Sequence, residues 1–131
     1  MNYEIAWKLN YSIVTFNGEL SIRDIESANK AIHGDSRTYK TFGSIWDFSN
    51  CTTNKITPKD LLYTEANDLG STTTIKEFNL AIITNDSHSI SLFESYISNS
   101  IDYGSPWKFK LFSSLNQADS WINSQCPTSV E

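Results

Sequence analysis

The chain reads as a mixed α/β fold, and three observations predict it. Two alternating strands open the sequence. Helix-period and strand-period segments then take turns to its last residues. The run Trp107 to Ile122, WKFKLFSSLNQADSWI, repeats that unit in miniature, a strand of alternating apolar and lysine residues running into a serine-capped amphipathic helix. Alternation of this kind calls for a mostly parallel sheet covered by helices, and in such sheets ligands and chemistry gather at the C-terminal ends of the strands. The predicted architecture is a mixed, mostly parallel five-stranded sheet with four helices in the order ββαβαβαβα. Crossovers between its parallel strands are expected to be right-handed.

The elements follow in order. Tyr3 to Lys8 alternates, with Tyr3, Ile5 and Trp7 on one face. Tyr11 to Phe16 is rich in β-formers, and the short Leu9-Asn10 link makes the pair an antiparallel hairpin ended by Asn17-Gly18. Ser21 with Asp24 has capping-box spacing, and Ile22, Ile25, Ala28 and Ile32 form a helical stripe, with Arg23, Glu26, Asn29 and Lys30 outward. Gly34 suits a left-handed residue past the helix end, and Asp35 to Lys40 reads as a polar loop. Thr41 to Phe48 is apolar on both faces and so belongs in the sheet interior. A polar loop with Ser49, Asn50, Cys51 and Thr52 follows.

Thr57 as N-cap and Pro58 at the first helical position start the second helix, with Leu61, Leu62, Ala66 and Leu69 as its buried stripe and Gly70 closing it. Phe78 to Thr84 is the most apolar run and is expected at the centre of the sheet. Ser87 is the expected cap of the third helix, whose inward face is Ile90, Phe93, Ile97 and Ile101. Tyr103 to Pro106 is a turn. Trp107 to Phe112 is an edge strand, its Lys108 and Lys110 in water. Ser114 and Gln117 cap the last helix, with Leu115, Ala118 and Trp121 or Ile122 packing inward. One domain over 1–123 and a frayed tail over 124–131 are expected.

Composition narrows the function. The 131 residues carry 15 acidic and 10 basic side chains, a net charge of −5, and no Lys/Arg run. That argues against non-specific nucleic-acid binding and docking on anionic lipid. No segment reaches membrane-spanning length, and MNYEIAWKLN is not a secretory signal, so a cytoplasmic protein is expected. Cys51 and Cys126 are then expected as reduced thiols. No Cys/His spacing suggests a metal site, and no catalytic set or cofactor motif is legible.

Three blocks resemble a known group. They are Trp46-Asp47-Phe48-Ser49, a strand with an Asp-x-Ser exit; Phe78 to Thr84 followed by Asn85-Asp86-Ser87 and a long helix; and Lys110-Leu111-Phe112 with Ser114 to Ile122. In this order they resemble the STAS fold, named for sulfate transporters and anti-sigma-factor antagonists, and within it the SpoIIAA-like group of small stand-alone bacterial proteins. The resemblance implies a non-enzymatic regulatory or protein-interaction module. Such domains bind a partner protein, and some bind a nucleotide or an apolar ligand. In the sporulation antagonists a serine within Asp-Ser-Ser-Gly, at the start of the helix after the third strand, is phosphorylated. The equivalent stretch here, Cys51 to Asp60, reads CTTNKITPKD, so the resemblance does not carry that switch over.

Candidate residues follow from these readings. Asp47 and Ser49 end one apolar strand, and Asp86 and Ser87 end the next. If the strands are neighbours, the four share one rim that could hold a partner or ligand, while their bland reading is turn chemistry. Thr57 is a candidate phospho-acceptor at a helix N-terminus, and a capping residue otherwise. Cys51 reads as a structural thiol, and His33 and His88 as exposed surface histidines. The hairpin set Tyr3, Ile5, Trp7, Tyr11 and Phe16 reads as core, with a ligand pocket or a homodimer surface as the alternative; if all helices cover one side of the sheet, the open face would take a partner, a small ligand or a lipid.

Overall fold

The computed structural model describes residues 2–125. Five strands, β1 (Tyr3–Trp7), β2 (Tyr11–Leu20), β3 (Gly43–Asn54), β4 (Asn79–Ile83) and β5 (Lys108–Phe112), alternate with α1 (Ile22–His33), α2 (Leu62–Ser71), α3 (Ser87–Asp102) and α4 (Leu115–Gln125). The sheet order is β1-β2-β3-β4-β5. β1 pairs antiparallel with β2, and every other pair is parallel. The two apolar strands thus lie side by side in the interior, with Gly43–Asp47 against Asn79–Ile83.

Side-chain parity divides the helices between the two faces of the sheet. Val14, Phe16, Trp46, Phe48, Leu80 and Ile82 face α1, α3 and the approach to α2, where Ile25, Ala28, Ile32, Leu61, Leu92, Phe93 and Tyr96 meet them. Ile45, Ala81 and Ile83 face the other way, onto Ala118 and Ile122 of α4. Phe16 stacks on Phe48 with ring centroids 4.6 Å apart, and Phe48 stacks on Phe93 at 4.6 Å. Tyr3 joins Phe16 at 5.8 Å, and Ile5 and Trp7 pack on the same core. The core reading of the hairpin aromatics holds for these residues. One polar thread crosses the core, where Ser12 and Ser44 share a hydrogen bond of 2.8 Å and Trp46 Nε1 donates to Ser44 Oγ at 3.1 Å.

Several boundaries differ from the sequence expectation. Gly18 does not end β2. It adopts φ +71° beside a register shift, and the strand resumes to Leu20. β3 does not become a loop at Ser49 but continues to Asn54, paired with β2 alone. Two register shifts absorb its surplus residues. Beyond Asp47 the sheet therefore narrows to a two-stranded ribbon. Gly34 is right-handed, at φ −86°. Ser36–Lys40, expected as loop, is a 3₁₀ turn with Thr38 buried. Asn29, expected outward, is buried.

Capping also shifted. Ser21 Oγ accepts the Asp24 N–H at 3.4 Å as expected, but Asp24 returns its carboxylate to the Ser21 hydroxyl rather than to the backbone. Asp86, not Ser87, caps α3. α2 starts at Leu62 after successive turns from Thr57, not at Pro58, and ends at Ser71 rather than Gly70.

Two helix faces are rotated from expectation. α2 buries Thr64, Glu65 and Asp68, while Leu62 is 50% exposed and Ala66 lies in solvent. α3 buries Ser89, Leu92, Phe93, Tyr96 and Ser100, while Ile101 is exposed. On α4, Leu115 is exposed, and Ala118 and Ile122 carry the contact. α4 also takes in residues 124 and 125 of the expected tail; 126–131, with Cys126, lie outside the described residues.

Candidate functional site: an acidic rim and a buried polar cluster

The four candidate residues stand at or after the paired ends of β3 and β4, at the C-terminal end of the sheet. Asp47 pairs with Ile83 at the last rung between β3 and β4. It is buried, and its Oδ1 accepts both the backbone N–H of Ser49 at 2.9 Å and the Ser49 hydroxyl at 2.6 Å. Asp86 accepts the Ser89 N–H at 2.8 Å, which holds its carboxyl below the ordinary range. Ser87 is exposed in the first turn of α3. Cys51, at the root of the ribbon, ties these groups together. Burial first, then the charges of Asp47, Asp86 and Asp24, push its thiol up to about 11. The charges of three carboxylates thus add to burial in suppressing ionisation of this thiol.

A chemical consequence follows. A thiol raised from 9 to about 11 has about 100-fold less thiolate at pH 8, and the thiolate is the nucleophile. Alkylation of Cys51 by iodoacetamide, followed by peptide mapping in the folded protein, is expected to be about 100-fold slower than in the urea-unfolded chain. Equal rates would contradict this picture of the rim.

The ribbon leans over the start of α3. Asn54 Nδ2 donates to Ser89 Oγ at 2.8 Å, and His88 Nε2 lies 3.0 Å from the Ile56 carbonyl. Thr57 stands beyond it, away from any helix start. It exchanges hydrogen bonds with Asp60, its N–H donating to Oδ2 at 2.9 Å and its Oγ1 accepting the Asp60 N–H at 3.3 Å. The helix-end reason for favouring Thr57 as a phosphate site is therefore lost.

A second site was not foreseen. Between α1, α2, α3 and the sheet lies a cavity of about 40 Å³, walled by Ile32, Trp46, Leu80, Phe93 and Trp107 and polar at one end. Asp68 supplies that end. It accepts the Tyr96 hydroxyl and lies 3.1 Å from His33 Nε2. The His33 ring stacks on Trp107 at 6.0 Å, so His33 is a half-buried partner rather than a surface residue. Burial, then the charge of Asp68, holds the Tyr96 phenol well above its ordinary pKa. Glu65, one turn away and also buried, is raised chiefly by desolvation, offset in part by Asn99 and reinforced by Asp68. Thr64 Oγ1 and His33 Nδ1 are buried with no hydrogen-bond partner among the described residues, and both residues line the cavity. The available sequence signal was the Thr64, Glu65, Asp68 spacing, a helical stripe in its own right but a polar one. Among the described residues no group of three metal-ligating side chains converges, and no helix is long and apolar enough to cross a membrane.

No family model and no curated protein matches the chain. Solved structures do. The anti-sigma factor antagonist SpoIIAA in its unphosphorylated form superposes with a TM-score of 0.61 at 9% identity, over 92% of this chain and 97% of that one. An anti-sigma factor antagonist from Mycobacterium paratuberculosis gives 0.52 at 16% identity, over 92% of each chain. An uncharacterised DUF3478-family protein with a SpoIIAA-like fold from Shewanella loihica gives 0.50 at 16%, over 92% of this chain and 91% of that one. The chain has the SpoIIAA-like form of the STAS fold.

Proposed function

We propose that this chain is a non-catalytic, cytoplasmic regulatory module that works by binding another protein, as one STAS/SpoIIAA-like domain over residues 1–123. The observation that carries the reading is the superposition on SpoIIAA, which pairs nearly all of both chains. Fold likeness supports the class of role as an analogy, and the site must carry the specifics. The rim of Asp47, Ser49, Asp86 and Ser87 is the contact surface in this reading. Its carboxylates favour a partner with basic side chains. Thr57 remains the candidate acceptor if phosphorylation controls the contact, although a phosphate there would face Asp60.

The test has two arms. A partner isolated from the source cells and then purified should rebind the wild-type chain, and Ser87→Arg should weaken that binding about tenfold, as a misplaced cation in the contact would. Rebinding unaffected by Ser87→Arg and by Asp86→Asn would remove the rim from the reading. Substrate turnover that depends on Asp47, Cys51 or Asp86 would overturn the non-catalytic role itself.

A small-ligand role is the second reading, but the closed cavity, at about 40 Å³, is far below the ~300 Å³ of ligand sites and its unpartnered polar atoms suit a bound water, so a ligand would sit outside it. Native mass spectrometry of freshly purified protein should then reveal a co-purified small molecule. A spectrum with bare protein alone counts against this reading.

A further inference from the structure

Helix placement marks a second position on the sheet. The chain leaving β4 enters α3 on one face, and the chain leaving β5 enters α4 on the other. Between two such parallel neighbours the connections part, and a crevice opens beyond the strand ends. Ligands of open α/β sheets bind at such switch points. An open groove of about 350 Å³ lies there. Thr84 from the end of β4, Leu111, Phe112 and Ser113 from β5, Ile90 and Glu94 from α3, and Gln117 from α4 line it. The acidic rim lies one strand away, between β3 and β4, so this groove is a separate place.

We propose that the groove binds a small organic amine with an apolar body, independently of the protein-interaction reading. Ile90, Leu111 and Phe112 offer the apolar surface. Glu94 is the one charged residue of the lining, and among the described residues nothing pairs with it. Two features oppose a cation. Lys110 sits over the Phe112 ring at 5.7 Å, but it does not line the groove. Gln117 stands in the first turn of α4, at the partially positive end of that helix, but Ser114 already accepts its N–H at 3.3 Å. A full charge on Glu94 outweighs that partial one. Ser113 and Gln117 are occupied with each other, Ser113 Oγ donating to Gln117 Oε1 at 3.2 Å.

Thr84 adds an independent observation. It is 3% exposed, and its hydroxyl has no partner among the described residues. A buried unpaired hydroxyl destabilises the fold, and valine would fill the same space without that penalty. A small shift of the Thr84 side chain toward the groove would give this hydroxyl a ligand's N–H as its partner.

Titration of the full chain with 2-phenylethylamine, followed by amide chemical shifts, tests this. Saturable shifts should centre on Thr84, Ile90, Glu94, Ser113 and Gln117. Glu94→Gln should weaken binding about fivefold and Thr84→Val by about the same factor, while Thr84→Val should raise the melting temperature of the free protein. Equal or tighter binding of phenylacetate would overturn the charge assignment, and the proposal with it. No saturable shift at millimolar amine, or binding unchanged in both variants, would overturn the site. None of these outcomes bears on rebinding of a protein partner at the rim.

Discussion

Gly43→Ala is expected to destabilise the protein by about 3 kcal/mol or more, as overpacking against an immovable neighbour does. Gly43 opens β3 between Tyr11 of β2 and Asn79 of β4. A Cβ built there would overlap the Asn79 carbonyl oxygen and stand 2.9 Å from its carbon. That neighbour is backbone, and it is clamped, because the Asn79 N–H and side-chain amide both donate to the Phe42 carbonyl, at 3.0 and 2.7 Å. The strand can make room only by losing its first rung. The close approach, not an unusual φ, is what requires glycine. Urea unfolding of wild type and variant measures the loss, and a change below about 0.5 kcal/mol, ordinary for a surface site, would show that the strand start yields.

Asp68→Ala is expected to cost about 3 kcal/mol, because it leaves the Tyr96 hydroxyl and His33 Nε2 without their acceptor in a buried setting. Asp68→Asn keeps an oxygen for Tyr96 and should cost about half as much. The pair also carries a pH signature. Glu65 is raised by burial, and Asp68 contributes to that shift. A carboxyl raised on folding favours the folded state below its unfolded pKa, and the benefit fades as pH rises through the folded value. Removing the charge at 68 should therefore shrink the fall in stability between Glu65's unfolded pKa and its raised folded one. Parallel pH profiles for wild type and Asp68→Asn would show that the two carboxyls do not sense each other.

The sheet was legible because burial dictated its pattern. Phe78 to Thr84 and Thr41 to Phe48 are apolar on both faces, and only an interior strand uses such residues. Lys108 and Lys110 marked the edge for the converse reason. The overrun of β3 was illegible because its sequence beyond Phe48, SNCTTN, is polar apart from Cys51, so no apolar alternation marks it. The rim was legible in part. Asp47 and Asp86 were placed by the strand ends alone, whereas Cys51 joined them through the overrun.

The cavity escaped for a different reason. α2 was read by its leucines, yet its inward face is set by what α1 and α3 present, namely His33, Tyr96 and Asn99. A polar stripe becomes a core face only when polar partners wait opposite. That fact lies in three separated segments and in none of them alone. The groove at β4 and β5 needed the side assignment of α4, which periodicity does not give.

Among the described residues, α4 is the helix that shields Ile45, Ala81 and Ile83 on its side of the sheet. A polypeptide emerging from the ribosome delivers that helix after all five strands. Until then a greasy plane faces solvent, and strands that could already pair remain exposed to association with other chains. Synthesis order thus gives this architecture an interval of vulnerability, closed by a helix of eleven residues.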